Sequence, residues 1–486
     1  MLNILYIGKT NLPNYKDFIL KNNLAHSAKA AGEKDSLRRS ELIRMFLGYS
    51  CMMANIDCAK WLNLVVKTNS NCAYSEISAT SIRGDLHCII RSKSMASIVE
   101  IADLKRIAKR KVPKLFFDYA DSGSWTEGTY RANESDFQKL LLRQKIAVDM
   151  TNRNLRSTML DQEVAMPFAM APTGLTGMQC ADGEIKAAKA CEAAGIPFTL
   201  STMSICSIED VAANTTKPFW FQLYVMKDRD FIARLIARAK AAGCSALVLT
   251  FDLQILGQRH KDIRNGLSAP PKLTPKHLWY MAQCPQWCLG MATTRRHDFG
   301  NIVGHVTGVE DMSSLSMWAS EQFDPKLSWD DIEWIRELWD GPLILKGILD
   351  PEDAIKAADS GADALIVSNH GGRQLDGARS SIAALAEIVD LVGDRIEVHM
   401  DGGIRSGQDV LKALSLGAKG VYMGRPFLYG LGAMGQAGVT KAIDIVRNEL
   451  DITMALCGER DVNDLGRHNI DRHSELVSRY QIDLSK

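Results

Sequence analysis

His370 and Arg373 stand three positions apart in Ser368-Asn369-His370-Gly371-Gly372-Arg373-Gln374, a glycine-rich turn that follows the apolar run Ala364-Leu365-Ile366-Val367. An imidazole titrates near neutral pH and can take a proton from a substrate. A guanidinium keeps its charge and grips a carboxylate through a two-point fork. A base beside an anion clamp points to a small carboxylic acid as substrate. An apolar run that closes on such a turn has the pattern of a barrel strand ending in a catalytic loop.

Lys346 follows Pro342-Leu343-Ile344-Leu345 and is expected at a strand end, with its ammonium in the barrel mouth. There it could form a Schiff base or stabilise an anionic ring. Two late loops, Met400-Asp401-Gly402-Gly403-Ile404-Arg405-Ser406-Gly407 and Met423-Gly424-Arg425-Pro426, fall after what would be the last two strands. Barrels commonly hold a phosphate there on backbone N–H groups. Glycines let the backbone approach and the arginines add charge; the bland alternative is a pair of tight turns with solvated arginines. No GxGxxG opens a helix after a first strand, which argues against a dinucleotide domain and for a mononucleotide cofactor. If that cofactor is a flavin, Lys346 becomes the cation beside its reduced ring. Other runs end in Ala171-Pro172-Thr173-Gly174, Ser201-Thr202, Gln222-Leu223-Tyr224 and Thr250-Phe251-Asp252. Each alone is an ordinary turn residue; their recurrence on successive strand ends favours function.

The elements that position these groups repeat. Residues 187–195, 232–243, 354–361 and 410–417 read as helices ending at glycine, each leading into a β-rich run such as Ala246-Leu247-Val248-Leu249-Thr250 or Gly420-Val421-Tyr422-Met423. Helix, glycine stop and buried strand in alternation make a parallel sheet, and a repeating part of this length suits a (β/α)₈ TIM barrel with extra loops. A long insertion from Gly257 to about residue 325 is expected to be an irregular lid or binding surface. Its Leu278, Trp279, Tyr280 and Trp287, ahead of Arg295 and Arg296, would suit a membrane interface, with an ordinary packed loop as the alternative.

The chain has 486 residues, 46% hydrophobic and 24% charged, with a net charge of +1, so it can bury a large core and offers no case for nucleic acid. No uninterrupted apolar stretch reaches the ~18 residues of a membrane span; the nearest, residues 45–56, stops at Arg44 and Asp57. Eleven cysteines without CxxC spacing read as reduced thiols rather than disulfides or a metal site, which fits a cytoplasmic protein. Residues 1–94 hold 13 Lys/Arg against 7 Asp/Glu and four cysteines without clear periodicity. They are expected to be an atypical N-terminal extension to a domain at 95–486, with Met95 as a candidate start and a regulatory or targeting arm as the alternative.

From about residue 98 to 458 the chain resembles the FMN-dependent α-hydroxy-acid oxidising enzymes, the group containing glycolate oxidase, flavocytochrome L-lactate dehydrogenase and mandelate dehydrogenase. The resemblance rests on residues 368–374 together with Lys346, Asp252 and Asp401-Gly402-Gly403. Phe117-Asp118-Tyr119, Trp220-Phe221-Gln222-Leu223-Tyr224, Lys346-Gly347-Ile348-Leu349-Asp350-Pro351-Glu352-Asp353 and Pro285-Gln286-Trp287 bring it nearest to the bacterial respiratory L-lactate dehydrogenases. Residues 1–94 have no counterpart there, and His26 and His87 carry no haem-binding pattern.

The resemblance implies FMN as cofactor and a small L-2-hydroxy acid as substrate, lactate first, with mandelate or a longer acid behind it. It makes His370 the base, Asp252 its charge partner, Arg373 and Arg259 the carboxylate clamp, and Tyr119 and Tyr224 hydrogen-bonding groups. Lys346 would face the flavin, and Thr173, Ser201, Gln222, Thr250, Ser368, Asp401, Gly402, Gly403, Arg405, Gly424 and Arg425 would hold FMN. Met203 and Leu256 would flank the substrate side chain. Gly174 stands where family members often have alanine and some dehydrogenases of larger acids have glycine. A quinone or cytochrome acceptor, a homo-oligomer and peripheral contact with the cytoplasmic face of the inner membrane complete the expectation. Rival readings are an oxygen-using oxidase, another FMN barrel, and a flavin-binding barrel without activity.

Overall fold

The computed structural model describes residues 98–266, 274–306 and 322–486. The expected extension, residues 1–94, lies outside them. Eight parallel strands form one sheet: β3 (Phe168–Met170), β4 (Thr199–Ser201), β5 (Trp220–Tyr224), β6 (Ala246–Thr250), β7 (Leu343–Ile348), β8 (Ala364–Val367), β9 (Glu397–Asp401) and β10 (Gly420–Met423). They pair in the order β3-β10-β9-β8-β7-β6-β5-β4, and a bridge between Met170 and Phe198 closes the ring. Helices such as Gly183–Ala194, Arg229–Ala241, Pro351–Asp359 and Gly407–Ser415 return the chain between strands. This is the expected (β/α)₈ TIM barrel.

Period-two alternation divides the core. Ala169, Trp220, Ala246, Val248, Ile344, Ala364, Ile366 and Tyr422 fill the barrel interior, while Leu247, Leu249, Leu343, Leu345 and Leu365 point outward against the helices. Strands covered on both faces read as continuous apolar runs, which is why β6 and β8 stand out in the sequence. A hairpin of β1 (Ser157–Met159) and β2 (Gln162–Val164) supplies Met159 to the same interior cluster. Its turn residues Leu160 and Asp161 both take positive φ, as a tight two-residue hairpin demands.

Two expectations need correction. Lys346 lies within β7, fourth of its six residues, rather than at a strand end. The strand continues through an irregularity at Gly347, whose φ is +107° and where a Cβ would come 2.7 Å from the Cβ of Asp252. The insertion is also not an irregular loop, for its described part contains helices His260–Arg264, Pro275–Ala282 and Pro285–Thr293. Thr274 caps the second by accepting the His277 N–H at 3.3 Å, and Pro275 and Pro285 start two helices where a missing N–H costs nothing. Among the described residues no helix is long and apolar enough to cross a membrane.

Candidate active site

A cavity of about 490 Å³ opens at the C-terminal ends of the strands. It gathers Tyr119, Thr173, Tyr224, Thr250, Arg259, Lys346, His370, Arg373, Asp401, Gly402, Gly403, Arg405, Gly424 and Arg425 from distant parts of the chain. Ser201, Gln222, Ser368 and Asp252 are not among its lining residues; they hydrogen-bond behind the wall. Ser201 Oγ donates to Gln222 Oε1 at 2.9 Å and Gln222 Nε2 donates to Thr250 Oγ1 at 3.0 Å, a chain across β4, β5 and β6. Thr173 Oγ1 lies 2.7 Å from Thr176 Oγ1.

At the β8 end, His370, Gly371 and Gly372 take φ of +56°, +64° and +71° in succession. Glycine is required at 372, where a Cβ would come within 2.5 Å of the Tyr130 nitrogen. A left-handed histidine is strained and persists only where its surroundings hold it. Here Ser368 Oγ accepts its backbone N–H at 3.1 Å, and Asp252 Oδ1 lies 2.8 Å from its Nδ1. Asn369 and Asn133 exchange reciprocal amide hydrogen bonds at 2.8 Å, pinning this loop to helix Gly128–Ser135. Burial alone would raise the Asp252 pKa, but its interaction and hydrogen bond with His370, with the charge of Lys346, hold it below the ordinary carboxylate range. An ionised carboxylate only accepts, so Nδ1 carries a proton, and in the neutral ring Nε2 is the nitrogen left to act as base.

Arg373 is half-buried. Its Nη1 donates to the Tyr119 carbonyl at 2.7 Å and to Ser122, and its guanidinium lies 4.8 Å from the Tyr119 ring centre. Among the described residues no carboxylate pairs with it, and burial together with the charge of Arg259 lowers its pKa to about 10. Arg259 does have a partner, Asp262 at 2.6 Å. Tyr224 packs edge-on against Phe323, and burial pushes its hydroxyl pKa well up. Lys346 Nζ contacts Asp401 Oδ2 and Ser368 Oγ, each at 2.8 Å. Burial would lower its pKa, yet the charges of Asp401 and Asp252 bring the net shift above the ordinary value.

The β9 and β10 end combines glycines at positive φ with two arginines. Gly402 and Gly403 have φ of +93° and +90°, and a Cβ on Gly403 would sit 1.9 Å from the Asn133 carbonyl oxygen. Gly424 precedes helix Arg425–Met434 with no side-chain cap; Pro426 has no N–H and the Phe427 N–H donates to the Gly424 carbonyl at 3.3 Å, so the Arg425 amide at the helix start is the one left for a ligand. Arg425 is held by the carbonyls of Ala120, Ser122 and Gly371 and the Tyr130 ring, with no carboxylate partner among the described residues. Arg405 pairs with Glu134 at 2.7 Å. Asp401 Oδ1 is buried without a hydrogen-bond partner, as a ligand hydroxyl would require. A phosphate-bearing, hydroxyl-rich cofactor such as FMN fits these features.

Sequence reasoning missed Asp262, Asn133, Tyr422 and Gln374. Asp262 was legible as the i+3 partner of Arg259. Gln374 donates to the Asp252 carbonyl at 2.6 Å and accepts the Gly257 N–H at 3.0 Å, tying the signature turn to the insertion. Nothing in the sequence pattern signals Asn133.

The model of the family described as FMN-dependent dehydrogenase matches residues 108–472. An L-lactate dehydrogenase of Caulobacter vibrioides is 45% identical over 364 residues, covering 74% of this chain and 94% of that protein. The crystal structure of the monotopic membrane protein (S)-mandelate dehydrogenase superposes with a TM-score of 0.74 at 34% identity, covering 77% of this chain and 99% of that one. A mandelate oxidase superposes with a TM-score of 0.66 at 35% identity over 77% and 98%.

Proposed function

The chain belongs to the FMN-dependent dehydrogenase family, and on that premise we propose that it oxidises a small L-2-hydroxy acid, L-lactate first, to the 2-oxo acid. The observation that carries the reading is the 2.8 Å His370–Asp252 pair beside an arginine that has no carboxylate partner among the described residues. FMN, when bound, supplies the acceptor for the two electrons that leave the substrate carbon. Thr173, Thr250, Lys346, Asp401, Gly402, Gly403, Arg405, Gly424 and Arg425 would hold it from the cavity wall, and Ser201, Gln222 and Ser368 would steady that wall from behind.

Arg373 and Arg259 take the substrate carboxylate, which neutralises the surplus charge between them. Tyr119 and Tyr224 orient carboxylate and hydroxyl. His370 Nε2 removes the hydroxyl proton, and Asp252 favours the imidazolium that results. Lys346 keeps a fixed positive charge in the wall.

Met203, Leu253, Leu256 and Phe323 line the same cavity and favour a second reading, a 2-hydroxy acid with a larger apolar side chain such as mandelate. Beyond the reaction itself, the reading includes a quinone or cytochrome acceptor, a homo-oligomer and a peripheral position at the cytoplasmic face of the inner membrane. Exposed Leu278, Trp279 and Leu289 on the insertion helices support the membrane contact.

The test is anaerobic mixing of the purified flavoprotein with L-lactate, D-lactate and (S)-mandelate while flavin absorbance is followed. Rapid bleaching by L-lactate is expected. Bleaching by (S)-mandelate alone would move the substrate to the larger acid, and no bleaching by any 2-hydroxy acid would overturn the reading.

A further inference from the structure

Glu397, His399 and Asp401 occupy alternate positions of β9, so all three face one side of the strand. They span roughly 13 Å from the barrel floor to the cavity. At the floor Glu397 is partly exposed and borders a cleft of about 460 Å³ shared with Leu160, Asp161, Asp363, Asp394 and Lys419. At the top Asp401 lines the active-site cavity and pairs with Lys346. His399 lies between them with no exposure at all.

The imidazole is bonded at both nitrogens. Its Nε2 lies 3.0 Å from Glu397 Oε2 and its Nδ1 3.1 Å from the Tyr422 hydroxyl. Tyr422 pairs in register with Asp401 across β9 and β10, and it lines the cavity. A merely structural core histidine would also need both nitrogens bonded. The difference is that one partner meets water at the floor and the other meets the active site.

We infer that His399 is a proton-binding site coupled to the charge of the cavity, taking up a proton when the bound flavin is reduced and giving it back on reoxidation. Glu397, an acceptor, fixes the proton of the neutral ring on Nε2, so Nδ1 accepts the Tyr422 O–H. On protonation one proton leaves water and one N–H bond forms at Nδ1. The Tyr422 oxygen then accepts from that N–H, and its own O–H must turn elsewhere. The turned hydroxyl becomes a donor toward the cavity that Tyr422 lines. His399 is therefore a positioning residue acting through Tyr422.

The charges around the ring agree with this role. Burial would raise the Glu397 pKa, but bonds from His399 and the Leu160 N–H, with the charge of Lys419, keep it below the ordinary range, so a carboxylate faces Nε2. Burial, then Asp401 and Glu397, push the Tyr422 pKa far up, so the hydroxyl keeps its proton. Lys346 opposes uptake, and Asp401 offsets it.

The test is nitrogen NMR of histidine-labelled holoenzyme, oxidised and dithionite-reduced, across pH 5–9. The His399 signal is identified by its loss in His399→Leu or, where that variant fails to fold, by its displacement in Tyr422→Phe. One added charge within roughly 10 Å alters a buried group's proton affinity about tenfold, so the His399 midpoint should rise by about one pH unit on reduction. Glu397→Gln should lower that midpoint by a similar amount. An unchanged His399 signal in both redox states throughout the range would overturn the inference. The inference rests on flavin binding and not on the choice of acid; because dithionite reduces the flavin, failure of L-lactate to bleach it would leave this test standing.

Discussion

Each end of the cavity carries an arginine with no carboxylate partner among the described residues, yet the two are anchored differently. Arg373, at the β8 end, is crowded by Arg259 and stacked on Tyr119, with its pKa pressed to about 10. Arg425, at the β10 end, is locked by three carbonyls beside an uncapped helix start. Surplus charge at both ends is what the proposed carboxylate and phosphate would neutralise. The anchoring separates their uses: like charges crowded beside a base suit a carboxylate that arrives and leaves, whereas a fixed cation at a helix N-terminus suits a resident phosphate.

The sharpest way to break this comparison is at the base. His370→Gln is expected to keep FMN bound while turnover falls on the order of 10²-fold or more, measured as L-lactate-dependent dye reduction per bound flavin. Near-normal turnover would remove the acid–base role from the β8 end.

Arg373→Lys should cost about 2 kcal/mol of substrate recognition, roughly thirtyfold in kcat/KM, because an ammonium cannot reproduce a two-point grip. Flavin content should not change. Arg425→Lys should do the reverse, weakening FMN retention about tenfold on dialysis with less effect on substrate KM once FMN is saturating. Equal flavin loss in both variants would erase the distinction between the two ends.

A smaller effect follows from Asp252. Its folded-state pKa lies below the ordinary ~3.9, so its contribution to stability is complete above that value and is lost as pH falls through the lowered one. The Tm difference between wild type and Asp252→Asn should therefore move against the wild type as pH falls below about 4. A difference that stays flat, or shifts in the wild type's favour on acidification, would contradict the charged pairing.

The smallest effect should come from removing residues 1–94. A chain beginning at Met95 keeps every residue of both cavity ends and should match the full chain in flavin content and dye reduction. A flavin-free or insoluble product would place the extension inside the folding unit.

The barrel was legible because buried parallel strands leave unbroken apolar runs, and β8 and β10 matched the reading residue for residue. The insertion misled, since a Pro- and Trp-containing stretch reads as irregular while Thr274-Pro275 and Pro285 start helices. Ser201 and Ser368 were located at strand ends, whereas Gln222 lies third of five residues in β5, and only packing decides which side chains reach the cavity surface.

By itself the sequence determined the chemistry available: a base and a clamp in one turn, a lysine on a neighbouring strand, and glycines where backbone must approach an anion. Those signals are local, carried by residue type and short spacing. The tertiary structure alone decided which groups meet. His370 reaches Asp252 across 118 positions of chain, Lys346 meets Asp401 from another strand, and the Tyr422 hydroxyl of β10 reaches His399 of β9 inside the barrel. Strand closure sets those distances, and no spacing along the chain encodes them.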